Sequence, residues 1–111
     1  MMTFNASNYE KFNEHDFTDS DIYGLSYSYT DNKMQILIMD HKIEYSNLRK
    51  RMFYFSGVRD ISLPNHLPYD SAFQINSFNT KKVDGIALET VITLKDGESI
   101  VINYFEVILS K

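Results

Sequence analysis

The chain has 111 residues, a formal net charge of −4 and no cysteine. The absence of cysteine excludes disulfides, thiolate nucleophiles and zinc or iron–sulfur sites with cysteine ligands. The acidic balance disfavours nucleic-acid binding, which needs a positive field to displace counterions from phosphate, and the strongest basic cluster is only Arg49-Lys50-Arg51.

The length predicts a single domain, residues 1–111, with an N-terminal segment over residues 1–14. That segment has neither the basic start nor the apolar stretch of a secretory signal. The longest apolar run, Ile36–Met39, is far shorter than a membrane span. We therefore expect a cytoplasmic protein that does not bind membranes.

Residues 7–13 are predicted to form a short helix. Ser7 is a favourable capping residue, and Glu10 follows three positions later, which is the spacing of a capping box. Tyr9 and Phe12 would then share one face of the helix.

The first hairpin is predicted over Ile22–Tyr29 and Met34–Tyr45. Apolar and polar residues alternate along both segments, as they do in half-buried strands. Between the segments, Asp31-Asn32 tolerates the positive φ of a tight turn. A two-residue turn would pair Tyr27 with Ile36 and place the apolar side chains of both strands on one face.

The second hairpin is predicted over Ile86–Leu94 and Ser99–Leu109. Asp96-Gly97 lies between these segments, and Asp-Gly is the strongest short-range signal for a hairpin. The expected register pairs Ile92 with Val101 and makes one apolar face. The opposite face also carries apolar residues, so we expect it to be partly covered.

Between the hairpins, Met52–Val58 and Asp60–Leu63 predict one or two strands, with a bulge or bend at Gly57. Ser71–Phe78 alternates more weakly and predicts a further strand. The fold class is therefore all-β with minor α at the N-terminus. We expect an antiparallel β-sandwich or a strongly curled sheet of about six strands, built from the two hairpins.

A histidine and several carboxylates are predicted to meet at one rim of the sheet, where the first strand starts. The expected register of the first hairpin places Asp40 opposite Tyr23 and His41 opposite Ile22. Zinc favours histidine nitrogen and harder cations favour carboxylate oxygen, so a metal site is one interpretation of this rim. Its ligands would be His15, Asp16 and His41, with Asp19, Asp21 and Asp40 of the same rim and the more distant His66 as further candidates.

The spacing of these residues matches no metal-binding motif, so two other interpretations stay open. In one, Asp16 and Asp19 cap turns with their side chains and His15 is an ordinary loop residue. In the other, the rim is an acidic surface with aromatic area that faces a protein partner. The residues of that surface would be Asp16, Asp19, Asp21, Tyr23 and Asp40.

Motifs of catalysis and cofactor binding are absent from the sequence. It has no Gly-x-Ser-x-Gly elbow, no phosphate loop and no glycine-rich dinucleotide turn, and it contains only four glycines. We therefore expect neither enzymatic activity nor a cofactor.

The order of features along the chain resembles that of a group of small bacterial β-rich proteins. His15-Asp16 precedes the alternating segment Ile22–Tyr29, the turn Asp31-Asn32, the segment Phe55–Ile61 and the closing turn Asp96-Gly97. This order is similar to that of YxiG-like and immunity-type proteins, which are associated with polymorphic toxin systems. The resemblance covers most of the chain, from about residue 15 onward.

The resemblance implies a binding protein that neutralises a bacterial toxin and has no catalytic activity. A net acidic chain would suit a basic toxin domain as its partner. Two alternatives remain: a metal-dependent enzyme or metal-binding protein that uses the rim, and a structural homodimer. A homodimer would cover strands that are apolar on both faces.

Overall fold

The computed structural model describes residues 2–42, 50–64 and 73–110. These residues form nine strands and one short helix, which confirms the all-β prediction but exceeds the expected count of about six strands. The elements are β1 (Met2–Phe4), α1 (Tyr9–Phe12), β2 (Asp21–Ser28), β3 (Lys33–Met39), β4 (Lys50–Ser56), β5 (Asp60–Ser62), β6 (Ile75–Asp84), β7 (Ala87–Leu94), β8 (Ser99–Tyr104) and β9 (Glu106–Leu109).

The strands form two antiparallel sheets that share one apolar core. The five-stranded sheet has the order β1-β9-β4-β3-β2, and the four-stranded sheet has the order β5-β8-β7-β6. Buried side chains from both sheets belong to a single cluster, as in a β-sandwich. The first and last strands are neighbours, because Thr3 of β1 pairs with Ile108 of β9.

Two segments of the chain pass together from one sheet to the other, and we call this place the corner. On one segment β4 ends at Ser56 and β5 begins at Asp60, so the predicted break at Gly57 is confirmed. On the other, the predicted single strand Ser99–Leu109 is wrong. It divides at Phe105 into β8 and β9, which lie in different sheets.

Hydrogen bonds keep the two segments paired through the corner. The Phe105 N–H donates to the Ser56 carbonyl at 3.1 Å, and the Arg59 N–H donates to the Asn103 carbonyl at 2.7 Å. Gly57 has a φ of +66°, and a Cβ placed on it would lie 2.5 Å from Cδ2 of Phe105. The corner therefore requires glycine both for its backbone angle and for the close approach of the aromatic ring.

The first hairpin is present, but its register differs from the prediction by two residues. Tyr27 pairs with Met34 rather than with Ile36. The loop between the strands has four residues, Tyr29–Asn32, of which Asn32 has a φ of 54°. Because the shift is even, the apolar residues keep the predicted face. β3 ends at Met39, and residues 43–49 of the predicted strand lie outside the described part.

The second hairpin differs from the prediction by one residue, and this odd shift changes the face of β8. Ile92 pairs with Ile100 rather than with Val101. The Leu94 N–H donates to the Glu98 carbonyl, and Gly97 has a φ of 92°, as in a three-residue loop with a bulge. The extra residue in the loop explains the shift, and it places the even-numbered residues of β8 in the core.

A third hairpin was not predicted. The strand expected at Ser71–Phe78 begins at Ile75 in the structure and continues to Asp84, while residues 71 and 72 lie outside the described part. Gly85 turns the chain into β7 with a φ of 49°. Asp84-Gly85 is the same dipeptide signal that identified the second hairpin, so the sequence contained the evidence for this turn.

The predicted helix is shorter than expected and has a different first residue. Asn8, not Ser7, precedes α1, because the Ser7 N–H and hydroxyl both donate to Oδ1 of Asn5. Phe12 is fully buried, and Tyr9 is partly buried against the core. Within residues 2–42, 50–64 and 73–110, no helix has both the length and the apolar character needed to cross a membrane.

The N-terminal segment closes one end of the core. The Phe12 ring lies 5.0 Å from the ring of Phe4 and 5.0 Å from that of Phe78, measured between centroids. Immediately after the helix, the Asn13 side chain donates to the Thr80 carbonyl and accepts from the Thr80 N–H, both at 2.7 Å. Asn13 thus pairs with β6 as a neighbouring strand would.

A chain of buried hydroxyl groups crosses the four-stranded sheet. The Thr90 hydroxyl lies 2.7 Å from that of Thr80 and 2.6 Å from that of Tyr104. Burial raises the pKa of Tyr104 to about 12, so this phenol keeps its proton well above its ordinary pKa of 10.

We expect the Tyr104→Phe variant to unfold with a different pH dependence from the wild type. Loss of the hydroxyl should cost about 1 kcal/mol at pH 8. The folded pKa lies above the unfolded one, so the contribution of Tyr104 is complete below pH 10 and is lost as the pH rises toward 12. The wild type should therefore lose roughly 1.4 kcal/mol per pH unit relative to the variant in this range, measured by urea unfolding. Parallel pH curves would contradict the buried hydroxyl chain.

The Gly57→Ala variant should destabilise the protein by about 2 kcal/mol or more, because the energetic cost of the positive φ and the cost of the clash with Phe105 add together. Gly85→Ala is the matched control, because Gly85 also has a positive φ but a Cβ there would meet no atom within 4 Å. It should cost about 1 kcal/mol, from strain alone. Urea unfolding of both variants measures the difference, and equal losses would show that the corner does not depend on close packing.

Candidate functional site

Asp16 caps a turn, as one interpretation of the sequence predicted. Its Oδ1 accepts a hydrogen bond of 3.0 Å from the Thr18 N–H. Its Oδ2 lies 3.2 Å from Nζ of Lys42, which also donates to the Asp16 carbonyl at 2.9 Å. The Thr18 backbone N–H, the Thr18 side chain and the Lys42 ammonium lower the pKa of this exposed carboxyl to about 2. Asp16 is therefore ionised and already paired.

Asp19 forms an ion pair rather than the side-chain turn cap that one interpretation of the sequence predicted. Its φ is 71°, and its N–H donates to the Ile75 carbonyl at 2.8 Å. Its side chain lies 2.6 Å from Nζ of Lys95 in the loop of the second hairpin. Asp19 therefore links the entry of β2 to the four-stranded sheet, and its carboxylate is engaged by a lysine.

The structure brings Asp21 and His41 together, as the predicted rim required. Nε2 of His41 lies 2.6 Å from Oδ2 of Asp21. Asp40, the residue before this histidine, is only 4% exposed, and its Oδ1 accepts a hydrogen bond from the Lys42 N–H at 3.0 Å. The predicted pairings of Asp40 with Tyr23 and of His41 with Ile22 are both wrong. Ile22 pairs with Ile38, and the register shift between Ile22 and Gly24 leaves Tyr23 without a partner in β3.

His15 belongs to the aromatic end of the core. Its ring stacks on Phe17 at 5.8 Å and meets Phe4 edge-on at 5.9 Å, between centroids. Arg51 covers the Phe17 ring, with its guanidinium carbon 5.4 Å from the centroid. Burial lowers the pKa of His15, and the Arg51 charge lowers it further, against a smaller opposing effect of Glu14.

The rim residues are therefore divided among separate local contacts. Asp16 pairs with a lysine, His41 pairs with Asp21, and His15 stacks on phenylalanine. Among the residues that the structure describes, no three histidine, aspartate or glutamate side chains are gathered closely enough to hold a metal ion. His66, the more distant candidate ligand, lies outside those residues.

Tyrosine side chains project from the exposed edge strand β2 and the loop that follows it. Tyr23 is the extra residue of the bulge and is 48% exposed. Tyr27 and Tyr29 are 42% and 82% exposed, and their rings meet edge-on at 6.3 Å. No charged residue occurs between Ile22 and Thr30. This part of the surface is thus aromatic and uncharged, whereas the rim beside it is ionic.

An apolar pocket of about 310 Å³ lies next to Tyr23. Residues Ile22–Leu25 of β2 form one wall, and Leu63, Pro64, Phe73 and Ile100 form the others. These four residues come from distant parts of the sequence, and the fold brings them to the margin between the two sheets. The β2 wall was predictable, because its residues are consecutive and uncharged, but the opposite wall carried no local signal.

A second concavity, of about 460 Å³, lies on the four-stranded sheet and is polar. It is lined by Arg59 and by acidic side chains that include Asp60 and Asp84. Glu89, another lining residue, lies 3.6 Å from Nζ of Lys81. The charges of this concavity are of both signs, and its walls expose little apolar area for a ligand.

The chain was compared with models of known protein families and with curated protein sequences, and neither comparison found a match. The resemblance to small bacterial immunity-type proteins thus remains a prediction from the order of short motifs in the sequence.

Proposed function

We propose that the protein is a non-catalytic protein-binding module. Its binding surface, which we call the β2 surface, consists of Tyr23, Tyr27, Tyr29 and the apolar pocket beside Tyr23. The observation that carries the proposal is the combination of three exposed tyrosines on an uncharged strand edge with this pocket.

Tyrosine is suited to binding because it combines a large apolar ring with a hydroxyl that can form a hydrogen bond. Interfaces are enriched in tyrosine, and their strongest contacts lie in pockets from which water is excluded. Tyr23 both borders a pocket and exposes about half of its side chain. A partner that covered the β2 surface would therefore bury aromatic area, and Ile22–Thr30 would bring no charge of their own into the interface.

The acidic residues of the predicted surface form its border. Asp16, Asp19 and Asp21 remain partly exposed, although each is paired with a basic side chain. Such charges at the margin of an interface mainly steer association and contribute little to affinity. With a net charge of −4, the chain would attract a basic partner over distance, and Tyr23 would supply contact area.

We infer that the partner is a toxin domain and that the module acts as an immunity-type protein that occludes it. The support is the resemblance in the order of sequence features, the small size of the chain and its acidic charge. Occlusion of a toxin requires a stable surface that is complementary to the toxin, and it requires no reacting groups. This role therefore agrees with the lack of catalytic motifs in the sequence.

Capture experiments with the full chain as bait, in extract of the native host, test this proposal. We expect wild type to retain a basic protein, and the double variant Tyr23→Ser/Tyr27→Ser to lose it, because the variant removes the aromatic contact area. Val83→Ser/Ile86→Ser is the matched control. It removes two exposed apolar side chains at the far turn, which are 43% and 67% exposed. Retention by the tyrosine variant, or equal loss in the control, would contradict the β2 surface.

A second candidate function is a structural homodimer, and a specific feature supports it. The outer face of the five-stranded sheet, remote from the core, carries large apolar side chains that are only half-buried. Direct pairing of Leu37 with Met52 and of Tyr54 with Ile108 makes this patch continuous across the sheet. Stacking of two such faces would cover the patch.

Sedimentation equilibrium distinguishes this candidate from the first. A homodimer formed through the outer face should be present at micromolar concentration and should dissociate in the Met52→Glu variant, which would place an unpaired charge in the interface. Ser26→Glu lies on the same face, near its edge, and should have a smaller effect. A monomeric wild type would contradict the homodimer and leave the β2 surface unaffected.

A further inference from the structure

The two sheets have four edge strands, and three of them are protected against pairing with another chain. β1 and β5 have only three residues each. β6 is long, but Asn13 occupies the backbone groups of Thr80, and Lys81 and Lys82 follow. Short length, covering and lysine are the usual ways in which proteins block their sheet edges.

Among the described residues, β2 has none of these three protections over Gly24–Ser28. It has eight residues, and after Asp21 it carries no charge and no proline. The bulge at Tyr23 disturbs its start, but Gly24–Ser28 pair with β3 in unbroken register. On the outer side, Asp21 bridges to Gln74, and no described residue outside β3 pairs with Gly24–Ser28. Half of the backbone groups of this stretch therefore face outward.

The apolar pocket lies at the same edge. Four consecutive β2 residues, Ile22–Leu25, form its wall, so a strand added beside β2 would pass over its mouth. Its volume of about 310 Å³ is at the small end of the range for ligand pockets and suits one bulky side chain. A backbone edge gives affinity through hydrogen bonds, and an adjoining pocket gives specificity by accepting a side chain.

We propose that the β2 surface binds its partner by strand addition. The bound segment is extended and uncharged, and it inserts one large apolar side chain into the pocket beside Tyr23. This inference deepens the proposed function and rests on it, because it names the part of the partner that is recognised.

The chemistry of the edge selects such a segment. A charged residue in the segment would lose water beside Tyr23 and Leu25, where the described residues that line the pocket include no opposite charge. Ser26 offers a hydroxyl group, which favours a polar, uncharged neighbour across the strand pair, whereas the Ser28 hydroxyl donates to Oδ2 of Asp31 at 3.2 Å. Phenylalanine and leucine at the pocket would bury apolar area against Phe73 and Ile100.

The test uses the full-length isotope-labelled protein and short synthetic peptides in which threonine alternates with valine. One peptide has a central phenylalanine, one has alanine there and one has lysine. We expect the phenylalanine peptide to bind about tenfold or more tightly than the alanine peptide and the lysine peptide to bind least. On binding, backbone amides within Gly24–Ser28 should exchange with solvent at least about tenfold more slowly, because they gain hydrogen bonds.

Variants of the protein locate the two parts of the interaction. Tyr23→Ala should weaken the binding of the phenylalanine peptide more than that of the alanine peptide, because it removes a side chain that lines the pocket. Ser26→Lys should weaken the binding of both peptides, because a charge on an edge strand opposes its pairing with an added strand. Val83→Ser, at the far turn, should change neither.

Three results would overturn the proposal. One is binding of the lysine peptide as tight as that of the phenylalanine peptide, and another is binding without slower exchange in β2. The third is slow exchange of the same amides without peptide, because the edge would then already be covered. The cover would be a second copy if the slowing increases with protein concentration, and the chain itself if it does not. A captured partner that needs Tyr23 but leaves β2 exchange unchanged would contradict strand addition alone. Failure of the capture would contradict the proposed function.

Discussion

The fold depends on the corner where two paired segments leave one sheet and enter the other. Gly57 lets the chain turn with a positive φ, and Phe105 packs on it while the Arg59 guanidinium lies 5.8 Å from the centre of that ring. The backbone pairing continues on both sides, so the two sheets are joined by covalent chain and by hydrogen bonds. β1, β3 and β7 pair directly with strands of these two segments, and β2 and β6 pair in turn with β3 and β7.

The sequence predicted the fold class because its strongest signals are local. Alternation along β2 and β3, and the Asp96-Gly97 turn, depend on neighbouring residues and were interpreted correctly. The register of each hairpin depends on the length of its loop, and the turn residues alone do not determine that length. The observed registers therefore differ from the predicted ones by two residues in the first hairpin and by one in the second. The division at Phe105 changes the buried positions from even-numbered in β8 to odd-numbered in β9. The polar residues Asn103 and Glu106, three positions apart, were the only local signal of this change, and a single strand was predicted instead.

The candidate site shows the same limit. Asp21 and His41 were expected together and are together, and Asp16 caps the turn that its sequence position suggested. Lys95 could not be predicted there, because it reaches the rim from the loop of the second hairpin, whereas Lys42 directly follows His41 in the sequence. With most of its carboxylates engaged by basic groups, the rim is ionic but locally balanced. The uncharged tyrosines beside it consequently became the more informative feature, although composition drew attention to the acids first.

The pairing of β1 with β9 has a consequence for biosynthesis. Met2 lies opposite Leu109, so the first and last strands of the chain are direct neighbours. β9 is also the strand that joins β1 to β4. β9 follows β2, β3 and β4 in the chain, so the five-stranded sheet cannot be completed before β9 has left the ribosome. Contacts between residues this far apart in sequence slow folding. The nascent chain would therefore present an unpaired edge of β4 until β9 has been made.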